Sequence, residues 1–457
     1  MTQPESIAAA KMREAGQSED AISAFTSALA RLQAGAETYL PSAALEPVPD
    51  VPALEQLPAA GAEAGAALDQ VAVIKLNGGL ATSMGLHEPK SLLEARAGKT
   101  FLDVIVGQML ELRARYDARL PLVLMNSEAT REAMRPVLAA YAELAVDGID
   151  RDFLQSMAPK LDAATLEPVS WPKAPALEWC PVGHGDIYSS LRGSGMLAAL
   201  LAAGFRYAMV SNSDNLGAQV DPRIALHMRE QQIPFLMEVV VGTEADRKGG
   251  HLALRKRDGQ IVLRELAQTA PEDDDSFRDF MRWRYYNTNT LWFDLAAVKA
   301  RLSDEGGLEL PVIVNHKTVD PRDPDSTPVI QLESAMGAAI ANFPQAELLQ
   351  VPRSRFVPVK TTDDLLLLRS DAYTMSDAFE LTAANGALPY VELDKQFYKL
   401  IDDFQKRFPG GPPSLKHADR FVVRGDATFE PGVIVEGSVA IDADTPRTIP
   451  SGTVLAG

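Results

Sequence analysis

Residues 71–91 read VAVIKLNGGLATSMGLHEPKS. An apolar run is followed by Lys-Leu-Asn and two glycines, and Lys90 comes eleven positions after the second glycine, directly behind Pro89. The run Val71 to Ile74 predicts a buried strand. Two glycines directly after a strand let the backbone approach a ligand closely, and free N–H groups in such a turn bind anionic oxygen. The stretch has neither the GK[ST] spacing of a phosphate loop nor a G-x-G-x-x-G pattern. It therefore predicts a strand and a nucleotide-holding turn of neither standard type; the alternative is a plain strand-to-helix turn.

The alternation of short apolar runs and amphipathic segments continues beyond this stretch. PLVLM (121–125) and YAMVSN (207–212) are strand candidates, and FLDVIVGQMLELRARY (101–116) and SGMLAALLAAG (194–204) are amphipathic. This order predicts crossover units and a mainly parallel sheet. The polar clusters LNGG, MNS and SNSDN each follow a strand candidate. Because ligands bind at the carboxyl ends of such strands, we expect the three clusters to form one cleft.

The chain of 457 residues is longer than one core usually supports, so we expect three regions. Residues 1–68 are predicted to be a helical segment, from apolar residues at helical spacing, followed by an Ala-, Pro- and Glu-rich linker or wrapping arm. Residues 69–375 carry the α/β pattern. Residues 376–457 are predicted to be a linker and a few coils of a β-helix, because short β runs alternate there with Gly and Pro turns.

Composition excludes several classes of partner. Lys and Arg number 44 and Asp and Glu 62, a net charge of −18, which disfavours nucleic acid and anionic membrane surfaces. No apolar run reaches the roughly 18 residues that a membrane span needs, and the N-terminus lacks a signal-peptide pattern. The single cysteine, Cys180, fits a reducing compartment. We therefore expect a cytoplasmic protein without nucleic-acid or membrane partners.

Other polar clusters suit a ligand, and each has a structural alternative. In GHGDIYSSL, residues 183–191, the glycines and His184 suit a ligand at a helix start, but Asp186 can equally cap the helix while the histidine packs. Asp214 in VSNSDNLG follows a strand candidate and can bind a divalent cation, although an Asx turn explains the same pattern. The histidines form no HExxH pattern, so zinc has little support.

Two further stretches carry candidate ligand groups. YYNTNTLWF, residues 285–293, places amide and hydroxyl side chains in a strand-like run, where a polyhydroxyl ligand or an exposed strand face would satisfy them. VPRSRFVPVKTTDDLLLL, residues 351–368, places Lys360 at the end of a β-like run, as a phosphate ligand or as an ordinary exposed lysine. No nucleophile elbow or Ser/Cys–His pattern is present, so the sequence gives no basis for covalent catalysis.

Together with KGGHL (248–252) and VIQLESAMGAAI (329–340), these blocks resemble those of the eukaryotic-type UTP–glucose-1-phosphate uridylyltransferases, also called UDP-glucose pyrophosphorylases. The blocks occur in the family's order across roughly residues 70–370. The resemblance implies a Rossmann-like, GT-A-like nucleotidyltransferase core, an N-terminal helical extension and a short C-terminal left-handed β-helix. It also implies that UTP and glucose 1-phosphate give UDP-glucose and pyrophosphate, with Mg2+ as cofactor. The short C-terminal repeat gives no basis for assigning an oligomeric state.

The resemblance implies three sets of site residues. The nucleotide set is Leu76, Asn77, Gly78, Gly79, Lys90, Gln155, Gly183, Asn212 and Lys360. The sugar-phosphate set is Gly78, Gly79, His184, Asn212, Ser213, Asp214, Asn289 and, as second choice to it, Asn287. The catalytic set is Lys90, Lys360 and Asp214, with Asp214 also the Mg2+ ligand.

The residues themselves agree with this chemistry, because a sugar phosphate is already ionised near neutral pH and needs charge neutralisation rather than a base. Two alternatives remain open: a pyrophosphorylase for N-acetylhexosamine or several sugars, and a catalytically silent nucleotide-sugar sensor. Four positions depart from the family pattern. They are Ala81, Glu88, Ser213 and Thr290.

Overall fold

A computed structural model describes residues 2–35, 39–304 and 307–457. Residues 1 and 36–38 of the predicted N-terminal segment, and 305–306 of the α/β region, lie outside this part. The central feature is a ten-stranded sheet, whose strands we number in chain order. They are β1 (Leu45–Pro47), β2 (Val71–Asn77), β3 (Leu122–Asn126), β4 (Asp152–Leu154), β5 (Tyr207–Asn212), β6 (Phe235–Val241), β7 (His251–Arg255), β8 (Ile261–Arg264), β9 (Tyr285–Asp294) and β10 (Glu347–Gln350).

Four neighbouring strands of this sheet run parallel, in the order β4-β3-β2-β5. β9 lies antiparallel between β5 and β6, and β6 pairs with β10 in parallel. The prediction of a mainly parallel sheet therefore holds for β2 to β5 and fails at β7, β8 and β9. An antiparallel strand needs no crossover helix, and the segment between β8 and β9 contains only short helical turns.

Both faces of the parallel strands are covered. Val71 and Val73 of β2 point into one apolar cluster, and Ala72 and Ile74 into another. Coverage of both faces is the arrangement of a Rossmann-like α/β core.

The α-helices of the described residues are Gln3–Glu14, Glu19–Gln33, Ala64–Leu68, Phe101–Tyr116, Glu128–Ala140, Ile187–Gly193, Met196–Ala202, Pro222–Gln231, Asp274–Phe277, Leu295–Ser303, Thr362–Arg369, Lys395–Tyr398 and Ile401–Arg407. None of them is long and apolar enough to cross a membrane.

The N-terminal region contacts the rest of the chain at several places. Its two helices, Gln3–Glu14 and Glu19–Gln33, share an apolar cluster with Ile330 and Leu332. The Pro-rich stretch after them is a wrapping arm rather than a free linker, because β1 pairs antiparallel with β7.

Short strands form smaller sheets around the core, and the C-terminal strands are all parallel. The small sheets pair Glu94–Arg96 with Lys99–Thr100, Met157–Pro159 with Trp179–Pro181, Ile313–Thr318 and Leu161–Asp162 with Pro328–Glu333, and Tyr373–Met375 with Leu381–Ala383. The C-terminal strands, in pairing order, are Tyr390–Leu393, Ser414–Phe429, Ile434–Ile449 and Val454–Ala456. Their parallel pairing suits the coils of a β-helix, whose left hand stays a prediction, as do the three domain boundaries.

Candidate functional site

A cavity of about 270 Å³ lies at the carboxyl ends of β2 and β5. It brings together ten of the predicted site residues, Met125 of the MNS cluster, and Pro181, which the sequence did not single out. The predicted residues that line it are Leu76, Gly78, Gly79, Lys90, Gln155, Gly183, His184, Asn212, Ser213 and Asp214. Asn77, Asn287, Asn289 and Lys360 do not line this cavity.

The first wall of the cavity is the nucleotide loop, residues 78–90. Ser127 Oγ donates to the Gly78 carbonyl at 2.9 Å, which fixes where the loop leaves β2. A Cβ on Gly78 would collide with the Gln155 side chain, whose Cδ would lie 2.8 Å away, whereas a Cβ on Gly79 would meet no atom of the described residues within 4 Å. Gly78 therefore admits Gln155, and Gly79 leaves room for a ligand. Position 81 does not require glycine for a positive φ, because φ there is −79°.

Lys90 and Asp214 form an ion pair inside the cavity, with Nζ 2.8 Å from Oδ2. Among the described residues, the buried Oδ1 of Asp214 has no hydrogen-bond partner. An unpaired carboxylate oxygen suits Mg2+, which protein sites often hold through one or two carboxylates and the substrate's phosphates. The described residues contain no group of three or more His, Cys, Asp and Glu side chains able to hold a metal alone. Asp214 therefore fits as a single protein ligand.

The second wall is the aspartate loop, residues 211–218, which carries Asp214. The loop is tied to β2 by Lys75, whose buried Nζ donates to Ser211 Oγ at 2.7 Å and to the Ala218 carbonyl at 2.8 Å. Burial and, after it, the nearby charge of Arg355 lower the pKa of Lys75, the Glu238 and Asp214 carboxylates oppose them, and the resulting pKa is about 7. The loop is thus held by a buried lysine side chain.

Lys360 lies next to the aspartate loop rather than in the cavity wall. It ends the lysine segment, residues 353–360, whose Val359 N–H donates to the Asp214 carbonyl at 3.2 Å. The predicted β-like run is wrong as a strand, because only Pro358 forms an isolated bridge, to Asn215. The prolines at 352 and 358 remove the N–H donors that a strand would need. The side chain of Lys360 is exposed, and the capped helix Thr362–Arg369 follows it.

The third wall is the histidine loop, residues 183–186. The Met336 N–H donates to Nδ1 of His184 at 2.9 Å, so the neutral ring carries its proton on Nε2. Burial lowers the pKa of His184 to about 4, so near neutral pH the ring is uncharged and acts as a donor through Nε2. Gly183 has φ 80°, and a Cβ there would lie 2.5 Å from the Ser334 carbonyl oxygen, so glycine is required.

Asp186 supports the histidine loop without lining the cavity. It is buried, and it accepts hydrogen bonds from Ser156 N–H at 2.6 Å, from Ser189 Oγ at 2.6 Å and from Ser190 Oγ. Its carboxylate makes no capping hydrogen bond to the backbone of the helix Ile187–Gly193, so the cap predicted as the structural alternative is not formed by this side chain. Because Ser156 follows Gln155, the same carboxylate joins the histidine loop to Gln155.

Asn287 and Asn289 lie on β9 past its last pair with β5, which joins Val210 to Leu291. Glu238 of β6 pairs with Thr290 and Val239 with Asn287, so residues 288 and 289 bulge out of the ladder. Asn289 has φ 55°, a left-handed conformation that asparagine tolerates better than most residues. Its Oδ1 accepts from Asn287 Nδ2 at 2.9 Å.

Asn77 lies behind the cavity. It is buried, its Nδ2 donates to Asn126 Oδ1 at 2.7 Å, and its Oδ1 accepts from Ser213 Oγ at 3.4 Å. These bonds connect the ends of β2 and β3 to the aspartate loop. Asn77 is therefore positioned to support the loops rather than to meet a ligand directly.

Glu265 is a candidate that sequence reasoning missed. A Cβ on Gly250 would lie 2.6 Å from its Oε1, and the Gly250 carbonyl accepts from Asn287 N–H at 2.9 Å. Burial raises the pKa of Glu265 to about 7, and the nearby Lys360 opposes that rise. The only sequence signal was the glycine pair of KGGHL, because the acid itself follows β8 in an ordinary RELA stretch.

Comparison with known proteins places these blocks in one group. The family model described as UTP–glucose-1-phosphate uridylyltransferase matches residues 23–436. A probable UTP–glucose-1-phosphate uridylyltransferase of Schizosaccharomyces pombe is 41% identical over 394 residues, which cover 85% of this chain and 76% of that protein. The enzyme of the same name from Hordeum vulgare is 40% identical over 396 residues, covering 85% and 81%.

Solved structures agree with the sequence matches. A variant of UDP-glucose pyrophosphorylase from Leishmania major, in complex with UDP-glucose, has a TM-score of 0.93 at 40% identity and covers 100% of this chain and 98% of that one. A protein called UDP-glucose phosphorylase from Trypanosoma brucei has a TM-score of 0.91 at 42% identity, with the same coverage.

Proposed function

The chain belongs to the UTP–glucose-1-phosphate uridylyltransferase family, and we propose that its cavity converts UTP and glucose 1-phosphate to UDP-glucose and pyrophosphate. The observation that carries this proposal is the convergence of the nucleotide, aspartate and histidine loops on one cavity at the carboxyl ends of β2 and β5. Each loop belongs to a block that resembles the family. The protein is a nucleotidyltransferase.

The reaction is a displacement at the α-phosphorus of UTP. A phosphate oxygen of glucose 1-phosphate forms a bond to this phosphorus, the bond to the oxygen bridging to the β-phosphate breaks, and pyrophosphate leaves with that electron pair. The attacking oxygen is already ionised near neutral pH, so the chain need supply no general base. Its work is to align two anions and to offset their repulsion.

Lys90 and Lys360 are the proposed sources of positive charge. The ion pair with Asp214 holds the Lys90 ammonium inside the cavity at 2.8 Å from the carboxylate before any phosphate arrives. An entering phosphate offers this ammonium new oxygen acceptors, and Lys360 approaches the same region from the lysine segment. The neutral His184 adds a hydrogen bond from Nε2 without adding charge.

Mg2+ is the proposed cofactor, and Asp214 is the residue that would hold it, together with phosphate oxygens. When bound, the ion would neutralise phosphate charge and stabilise the charge that develops on the leaving group. Support comes from the buried Oδ1 of Asp214, which has no partner among the described residues. Exchange of Lys90 from Asp214 to a phosphate would leave the whole carboxylate free for the ion.

The remaining predicted residues divide between uridine and sugar. Gln155 presents a carboxamide to the uracil edge, with Gly78 making room for it. Asn212 and Ser213 serve the ribose or the sugar phosphate. Asn289, with Asn287, serves the glucose hydroxyls, and we add Glu265 to this group because its half-buried carboxylate adjoins Gly250 beside Asn287.

The test is turnover with UTP and Mg2+ on glucose, galactose and N-acetylglucosamine 1-phosphates assayed side by side. We expect pyrophosphate release with glucose 1-phosphate as the preferred sugar. Preference for the amino sugar would assign the chain to the N-acetylhexosamine alternative. Tight UDP-glucose binding without Mg2+-dependent pyrophosphate release would identify a sensor. A cytoplasmic location stays a prediction.

A further inference from the structure

Asn215, directly after the proposed metal ligand, joins the aspartate loop to the lysine segment. It is 2% exposed. Its Oδ1 accepts from Val357 N–H at 2.9 Å, and its Nδ2 donates to the Arg355 carbonyl at 3.2 Å. The same Oδ1 accepts from Gly217 N–H at 3.2 Å, which closes the turn of its own loop.

The lysine segment is held from both ends. Arg355 anchors one end through a buried ion pair with Glu238, with Nε to Oε2 and Nη2 to Oε1 both at 2.7 Å. At the other end, Val359 N–H donates to the Asp214 carbonyl at 3.2 Å. Lys360 follows at once, and its own N–H donates to Asp364 Oδ2 at 2.8 Å. The backbone of Lys360 is therefore fixed with respect to Asp214.

We propose that Asn215 is a positioning residue, which holds the lysine segment against the aspartate loop so that Lys360 and Asp214 act on the same phosphates. The inference rests on the proposed function, which gives Lys360 and Asp214 their roles. Asn215 itself does not line the cavity. Its carboxamide is the one group that bonds to the backbone of both the loop and the segment at once, among the side chains of residues 211–218 that the structure describes.

The test is a double-mutant cycle on turnover with Asn215→Ala, Lys360→Ala and the two combined. In the wild-type background we expect Asn215→Ala to lower kcat by about 10²-fold, because small misplacements of reacting groups cost that much. In the Lys360→Ala background it should change kcat by no more than about twofold, since no lysine is left to position. UDP-glucose affinity and thermal stability, measured in parallel, show that the variants are folded.

Two results separate failure of the inference from failure of the proposed function. Near-normal turnover of Lys360→Ala alone would remove Lys360 from the mechanism. If Lys360→Ala is impaired, an equal effect of Asn215→Ala in both backgrounds, or no effect in either, would overturn the positioning role.

Gly217→Ala provides a second route if Asn215→Ala does not fold. A Cβ there would collide with the Ser354 carbonyl and lie 2.8 Å from the Arg355 carbonyl carbon, which pushes the lysine segment away. The same cycle with Lys360→Ala should again be non-additive, and additivity would count against the inference.

Asn342→Ala is the matched control. Asn342 also bridges backbone groups, since its Nδ2 donates to the Glu309 carbonyl at 2.8 Å and its Oδ1 accepts from Glu309 N–H at 3.2 Å. It lies outside the loop and the segment. Its variant should leave kcat within about twofold in both backgrounds.

Discussion

Without ligand, Lys90 forms an ion pair with Asp214, whose carboxylate would hold the metal ion. Both side chains are mostly buried, with 17% and 18% of their surface exposed, so the pair offsets the cost of taking each charge out of water. In the proposed reaction, a nucleotide phosphate would replace Asp214 as the partner of Lys90, and the metal ion would replace Lys90 as the partner of Asp214. The arrangement keeps the cavity nearly neutral when empty and able to accept several negative charges when filled.

Replacing Lys90 tests its part in the reaction. Lys90→Ala should lower kcat by about 10²- to 10³-fold, because it removes a charged donor from the transition state, while the fold persists. Steady-state assays with UTP and glucose 1-phosphate measure this. Lys99→Ala is the control, since that ammonium lies over the Phe379 ring, away from the cavity. Near-normal turnover of Lys90→Ala would remove Lys90 from the mechanism.

A methyl group on Gly78 tests uracil recognition. In Gly78→Ala the new Cβ takes the space of the Gln155 carboxamide, so we expect KM for UTP to rise about tenfold and discrimination against CTP to fall. Parallel kinetics with the two nucleotides measure both effects. Gly61→Ala is the control, because a Cβ there meets no atom within 4 Å in the part of the chain that the structure describes. Unchanged nucleotide preference would separate Gln155 from uracil recognition.

At the scale of elements, β9 combines a buried core strand with the residues proposed to contact the sugar. Its residues 291–294 pair with β5 within the buried sheet, while the bulge at 288 and 289 turns the strand out of register at the level of the cavity. Bulges re-aim side chains next to active sites. The left-handed Asn289 is held by Asn287, whose Oδ1 accepts from the Asn289 N–H at 2.8 Å.

Two substitutions at Asn289 separate strain from recognition. Both Asn289→Gly and Asn289→Ala remove the carboxamide and should raise KM for glucose 1-phosphate about tenfold, with KM for UTP unchanged. The left-handed conformation is less favourable for alanine than for glycine. The free energy of unfolding of Asn289→Ala should therefore be about 1 kcal/mol lower than that of Asn289→Gly. Kinetics and urea unfolding give the two values. Equal KM values for the wild type and both variants would contradict a sugar contact.

The elements predicted from sequence are those with strong local signals. The apolar runs of β2, β3 and β5 predicted these strands, because buried strands need apolar residues. The glycines behind β2 predicted the turn, because glycine allows the backbone to approach a ligand closely. The antiparallel direction of β9 was not visible, since strand direction depends on the length and path of the preceding connection. The sequence also did not predict Glu265 as a site residue or the ion pair between Lys90 and Asp214, because only the tertiary fold brings those groups to their neighbours.

For the whole molecule, buried titratable groups set how stability responds to acid. His251 is fully buried against Trp283, with ring centroids 4.7 Å apart, and neither ring nitrogen makes a hydrogen bond of standard geometry within the described residues. Burial, with the nearby charge of Arg264, lowers the pKa of His251 to about 3. The unfolded chain binds this proton below about pH 6.5, so acid favours unfolding throughout that interval. Glu265, with its raised pKa of about 7, acts in the opposite direction.

His251→Phe isolates this contribution. The variant cannot bind the proton in either state, so its stability relative to the wild type should increase by about 1.4 kcal/mol for each pH unit below about 6. Urea unfolding of both proteins at pH 8 and pH 5 gives the difference in free energy of unfolding between the variant and the wild type. The difference at pH 8, where histidine is neutral in both states, reports the effect of the substitution on packing alone. A difference between the two proteins that is the same at both pH values would contradict a neutral buried histidine.

The arm strand β1 has a consequence for solubility. One edge of β7 pairs with β8. On the other edge, β9 pairs only with His251, and β1 pairs with residues 253–255. Without β1, those residues would offer unpaired N–H and C=O groups to any extended chain nearby. β1 spans only three residues and ends at Pro47, which has no N–H to donate. It therefore pairs the exposed edge of β7 and itself presents few unpaired backbone groups to another chain. An N-terminal truncation past residue 47 would therefore open a template for self-association.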